Sequence, residues 1–126
     1  MPDITFHHLH HEASDVDEAA AFYVECLGGE LTERVERDGV QWARVSLGGA
    51  MLNITDRADD SLSLGLYQGL DHFGIHTSDF GATIQTLKDK GVPFFIEPHS
   101  PKPGIQIAFV HGPDNVKVEI LQVSAV

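Results

Sequence analysis

HHLHHEASD at residues 7–15 and DHFGIHTSD at residues 71–79 are two versions of one phrase, set 64 positions apart (8 to 72, 15 to 79). An internal repeat of about half the chain limits the fold to two similar units. His8 precedes Asp15 as His72 precedes Asp79, and the residues after each phrase stay in register. Val16, Ala20 and Tyr23 after the first phrase, and Phe80, Ile84 and Leu87 after the second, fall at helical spacing on one face. Asp15 with Glu18 can form a capping box, Ser78 or Asp79 can cap the second helix, and the two runs end at Gly28 and Gly91.

Strand-like segments follow each helix: LTERVER, VQWARVSL and AMLNIT in the first half, then VPFFIE, IQIAFVH and VKVEILQV in the second. Asp38-Gly39, Gly48-Gly49 and GPDN at 112–115 punctuate them as turns. Each half reads β-α-β-β-β. The expected fold class is α+β, a single domain of two βαβββ modules in tandem, residues 1–56 and 70–126, joined by a linker at 57–69. PHSPKPG, residues 98–104, reads as a proline-rich loop. A helix covers only one face of such a sheet, so the paired modules are expected to form a curved sheet around a cleft.

Strand alternation sorts the side chains. Ile4, Phe6, His8, His10 and Glu12 share one face, and His72, Gly74 and His76 share the corresponding face of the second half. Phe73 and Ile75 suit a helix, so His8 and His72 are expected in the cleft. In the last strand Val116, Val118 and Ile120 suit the helix side, which puts Glu119 in the cleft with Lys117 and Leu121. Asn53 holds the corresponding place in the first half. Two imidazoles and one carboxylate leave coordination positions open, the arrangement of a working divalent-metal site. His10 is expected to line that site. Glu12 and His76, equivalent in the repeat, are a candidate acid–base pair. His7 and His11 fall on the helix side by parity and receive no role; His99 and His111 are unassigned.

Nineteen Asp and Glu against eight Lys and Arg give a net charge of −11, which disfavours nucleic acid as a partner and favours a bound cation. No apolar run approaches the roughly 20 residues of a membrane span. The lone Cys26 and the start MPDITFHH, with neither a basic nor an apolar leader region, lead to the expectation of a cytoplasmic protein.

These residues together resemble the vicinal oxygen chelate superfamily, which takes in glyoxalases, bleomycin-resistance proteins and extradiol dioxygenases. The resemblance is carried by His8-x6-Asp15 leading into EAAAFYVECLGGEL, His72-x6-Asp79 leading into a helix and KGVPF, and the closing GPDNVKVEIL. It implies metal ligands at His8, His72 and Glu119, with Asn53 where glyoxalase I enzymes have a fourth ligand, a glutamate. It also implies a divalent cofactor (Zn, Ni, Mn, Co or Fe), a small oxygenated substrate and a homodimer. The expected activity is that of an isomerase or lyase that stabilises an enolate or alkoxide by chelation. Glu119 is the first candidate base if it can leave the metal transiently, followed by His10 or the Glu12 and His76 pair. An Fe(II) extradiol-type dioxygenase and a metal-free drug-binding protein are the alternatives. The closing segment lacks the family's usual glycine, a change Asn115 can absorb in left-handed backbone.

Overall fold

The structure is a computed structural model that describes residue 3, residues 6–57 and residues 70–124. Most of the expected linker, 58–69, lies outside the described residues, as do Ile4 and Thr5. The chain divides into two compact units, Met1–Ser63 and Leu64–Val126.

In the first unit β1 (His8–Glu12) leads into α1 (Val16–Ala21), which runs on as a π-helical turn over Phe22–Cys26. β2 (Glu30–Arg37), β3 (Val40–Leu47) and β4 (Ala50–Thr55) follow, in the sheet order β1-β4-β3-β2. The second unit repeats the plan with β5 (Phe73–His76), α2 (Phe80–Asp89), β6 (Phe94–Lys102), β7 (Ile105–His111) and β8 (Lys117–Val123), in the order β5-β8-β7-β6. The first strand of each sheet runs parallel to the last and the remaining pairs are antiparallel. The fold is α+β with two βαβββ modules, as the repeat requires.

Each helix starts where a carboxylate receives an otherwise unpaired backbone N–H: Asp15 from Glu18 at 3.0 Å and Asp79 from Ala82 at 3.0 Å. Asp79, not Ser78, is therefore the second cap. The residues at helical spacing are the buried ones: Val16, Ala20 and Tyr23 in one module, Phe80, Ile84 and Leu87 in the other. The alternate strand residues Ala43, Val45, Leu52 and Ile54, and Ala108, Val110, Val118 and Ile120, are all nearly inaccessible to solvent as well. Burying these apolar side chains supplies the main driving force for each module.

Three local features depart from, or go beyond, what periodicity predicts. The expected loop at 98–104 is largely strand, because β6 continues through Pro98 and Pro101 to Lys102. Its pairing with β7 shifts register between Phe94 and Ile96, Ile96 and His99, and His99 and Lys102. An edge strand with bulges can skip the hydrogen bonds that proline cannot make. His99 thus sits in β6, where its Nδ1 lies 3.0 Å from the Glu97 carbonyl oxygen. The closing turn, Pro113–Asn115, places Asp114 as well as Asn115 in left-handed backbone, φ 57° and 59°.

After the π turn the chain passes so close to β3 that a Cβ at Gly29 would lie 2.7 Å from Val45 Cγ1, 3.0 Å from the Tyr23 carbonyl oxygen and 3.2 Å from that of Ser46. Two of those neighbours are backbone and cannot rotate away. Gly29→Ala is expected to destabilise the fold by about 1–3 kcal/mol, as overpacking does. A thermal melt within a degree of the parent's would show that the approach is not close.

Candidate metal and substrate site

Strand register within each sheet shows which positions of the two modules correspond. In the first sheet His10 pairs with Asn53 and Asn53 with Arg44; in the second Gly74 pairs with Glu119 and Glu119 with Phe109. Asn53 is therefore the structural counterpart of Glu119, and Arg44 that of Phe109. A Cβ at Gly74 would lie 3.5 Å from Glu119 Oε1, in ordinary van der Waals contact.

The second module brings two of the expected ligands together. His72 Nε2 lies 3.3 Å from Glu119 Oε1, while His72 Nδ1 lies 2.8 Å from Asp71 Oδ2. Lys117 Nζ donates to the other Asp71 oxygen at 3.1 Å. The contact with His72, then that with Lys117, holds the Asp71 carboxyl below its usual range. An ionised Asp71 accepts a hydrogen bond from the Nδ1–H tautomer of His72, which leaves the Nε2 lone pair toward Glu119. Two acceptors then face each other, a pair that a divalent cation or a proton bridges. This donor set suits a metal that accepts imidazole and carboxylate.

An aromatic wall flanks the pair. The Phe109 ring meets His72 edge-on at 4.9 Å, Phe95 lies 5.3 Å from Phe109, and His111 lies 4.6 Å from Phe95. Among the described residues the His111 Nδ1 is buried without a hydrogen-bond partner.

In the first module His8 is exposed at the start of β1, and its Nδ1 lies 2.8 Å from His7 Nδ1. His7 is thus not on the helix side. It precedes the strand, so alternation does not apply to it, and it stands to His8 as Asp71 stands to His72. His11 does face the helix, buried with its Nδ1 2.9 Å from the Tyr23 hydroxyl. Among the described residues no three His, Cys, Asp or Glu side chains are drawn together closely enough to hold a metal ion.

Both members of the expected acid–base pair have partners within their own modules. Glu12 Oε1 accepts from the Thr55 hydroxyl and from Arg57 Nη2 at 2.9 Å, and lies 2.9 Å from His10 Nε2. His10 Nε2 is also 2.7 Å from Thr55 Oγ1. His76 Nε2 accepts from the Val123 backbone N–H at 3.2 Å. Burial raises the Glu12 pKa, but the Thr55 hydroxyl, the Arg57 guanidinium and His10 together outweigh it and bring the carboxyl below its ordinary 4.5. The stability it contributes is complete above pH 4.5 and is lost as the pH falls through the lower folded value. For so accessible a group it amounts to less than about 1 kcal/mol. Denaturant titrations of Glu12→Gln and the parent are expected to differ at pH 7 and to converge in acid; a constant difference would rule out this linkage.

Asp71, His7, Arg44 and the aromatic wall were not singled out by periodicity or motif. The repeat does carry a signal for the first two, because His7 and Asp71 are equivalent positions directly before the paired histidines.

Tandem βαβββ modules, with His8 opening the first strand of one, His72 directly before the first strand of the other and Glu119 on the last strand of the second, define a class of proteins built on one repeated unit. The chain belongs to the Glyoxalase/Bleomycin resistance protein/Dioxygenase superfamily, whose profile matches residues 5–120. It is 30% identical over 123 residues to the probable chloroplastic lactoylglutathione lyase of Arabidopsis thaliana, across 91% of this chain and 35% of that protein. It is 29% identical over 119 residues to the probable lactoylglutathione lyase of Synechocystis sp., across 88% and 89% of the two chains. The chain therefore spans about a third of the Arabidopsis relative and most of the cyanobacterial one. Among solved structures it is similar to glyoxalase I from Zea mays, with a TM-score of 0.81 and 25% identity over 96% of this chain and 45% of that one. No helix among the described residues is long and apolar enough to cross a membrane.

Proposed function

We propose that the protein is a divalent-metal-dependent lyase or isomerase acting on a small hydroxy-carbonyl compound or acyl thioester, with His8, His72 and Glu119 as the metal ligands. The observation that carries this reading is the facing pair of His72 Nε2 and Glu119 Oε1 at 3.3 Å, with the far side of the imidazole fixed by Asp71. The names of the relatives supply the first substrate to test: lactoylglutathione is a 2-hydroxyacyl thioester.

Interconverting such a thioester with its 2-oxo isomer moves a proton between adjacent carbons and builds negative charge on the neighbouring oxygens. A bound divalent cation stabilises that charge by several kcal/mol. The chain must supply the base. Glu119 is the first choice, because its Oε1 stands 3.3 Å from His72 Nε2 and it can act as base on leaving the metal transiently. His10 comes next. Glu12, held ionised by Thr55 and Arg57, is a weaker base and serves better to fix His10. The Phe109 ring lies against one side of His72, with Phe95 against Phe109.

The test is metal analysis of the purified chain together with an assay for S-lactoylglutathione formation from glutathione and 2-oxopropanal. A stoichiometric metal that is lost in His8→Ala, with turnover lost alongside it, supports the reading. A stoichiometric metal without this turnover keeps the metal site and rejects the thioester. Protein free of metal and inactive points to the second reading, a small-molecule binder using the aromatic group of Phe95, Phe109 and His111. Oxygen uptake with a catechol would identify the dioxygenase.

A further inference from the structure

The first module contains a cavity of about 380 Å³ lined by His7, Arg44, Ser46, Gly49, Ala50 and Met51. The chain carries nineteen Asp and Glu, yet none of them is in this lining. Arg44 Nε donates to Asn53 Oδ1 at 3.0 Å, which fixes the plane of the guanidinium by way of a neutral partner. Among the described residues one carboxylate approaches, Glu33 at 3.5 Å from Arg44 Nη1, but Arg37 Nη2 holds the same Glu33 side chain at 2.9 Å. Two guanidiniums sharing one carboxylate leave a net positive charge, and Arg44 Nη2 takes part in neither contact.

The two modules differ in charge at this matched position. Where the second module has a carboxylate, Glu119, beside the neutral Phe109, the first has the neutral Asn53 beside a guanidinium, Arg44. The geometry points to an anion-binding site in this cavity, with Arg44 as the charged donor and Ser46 and His7 as polar partners, that takes a carboxylate group of a small-molecule ligand. A planar fork held on one edge by Asn53 presents its other N–H groups to two oxygens at once. Met51, in the lining, is the register partner of His8, so a ligand carboxylate would sit beside the proposed first-module metal ligand. The inference rests on the proposed enzyme reading only in taking that ligand to be the substrate; the anion site itself does not depend on it.

The test uses the full chain and the fluorescence of its single tryptophan, Trp42, which lies two residues from Arg44 on the same strand. Succinate is the probe, and its uncharged diamide succinamide is the control. Saturable quenching by succinate, its absence with succinamide and an affinity at least about tenfold weaker in Arg44→Met are the expected results. Arg44→Lys, which keeps the charge and loses the fork, and Ser46→Ala are expected to fall between, and they carry the comparison should Arg44→Met not fold. Equal response to succinamide, or affinity unchanged by these substitutions, overturns the proposal. His72→Ala is expected to retain succinate binding, so loss of the metal reading and loss of the anion site are read separately.

Discussion

Glu119→Gln is expected to lower turnover by roughly 10²–10⁴-fold, the range of a lost general base, while the protein stays folded. Glutamine keeps the size of the side chain and can place an amide N–H toward His72 Nε2 where Oε1 now stands at 3.3 Å, so packing around β8 is preserved. What it removes is the negative charge that suits a metal and the basicity that takes a proton from carbon. Metal content and turnover should therefore both fall, with the melting temperature little changed. A variant with full metal and full turnover would refute both roles proposed for Glu119. Full metal with low turnover would assign it the proton alone.

The second large effect is expected at a residue that touches no substrate. Asp71→Asn should weaken metal affinity by about 10–100-fold, the usual cost of removing a partner that orients a ligand histidine. Asp71 accepts from His72 Nδ1 at 2.8 Å, and its charge selects the tautomer that leaves Nε2 free to coordinate. Asparagine can still accept a hydrogen bond, but it can equally turn its amide toward the ring and stabilise the wrong tautomer. Metal affinity by chelator competition is the measurement, and Lys117→Ala is the control. It removes the second partner of Asp71 without touching His72. Should Lys117→Ala weaken the metal as much as Asp71→Asn, the effect would be one of local charge and not of imidazole orientation.

Much of the fold and part of the candidate site's layout were legible in the sequence. The spacing of Val16, Ala20 and Tyr23, and of Phe80, Ile84 and Leu87, placed both helices and their buried faces, because helical periodicity is a property of the backbone alone. Alternation placed Glu119 opposite the helix side of β8, and the equivalence of Asn53 with Glu119 holds in the register. The prolines of residues 98–103 misled, since a proline marks a loop only where its missing N–H is needed, and on the edge strand β6 it is not. His7 misled for a related reason. Parity has meaning only within a strand, and β1 begins one residue later.

The sequence by itself determined the two-module plan, the first helix cap, the cores and the strand face to which His8 and Glu119 belong. These arise from repeats of about 3.6 and 2 residues that any L-chain must obey. Only the tertiary structure decided who touches whom on that face. It put Asp71 behind His72, His7 against His8, Thr55 and Arg57 on Glu12, and Asn53 on Arg44. Such pairings join residues up to 45 positions apart, and strand register and side-chain rotamers set them, which no local periodicity encodes.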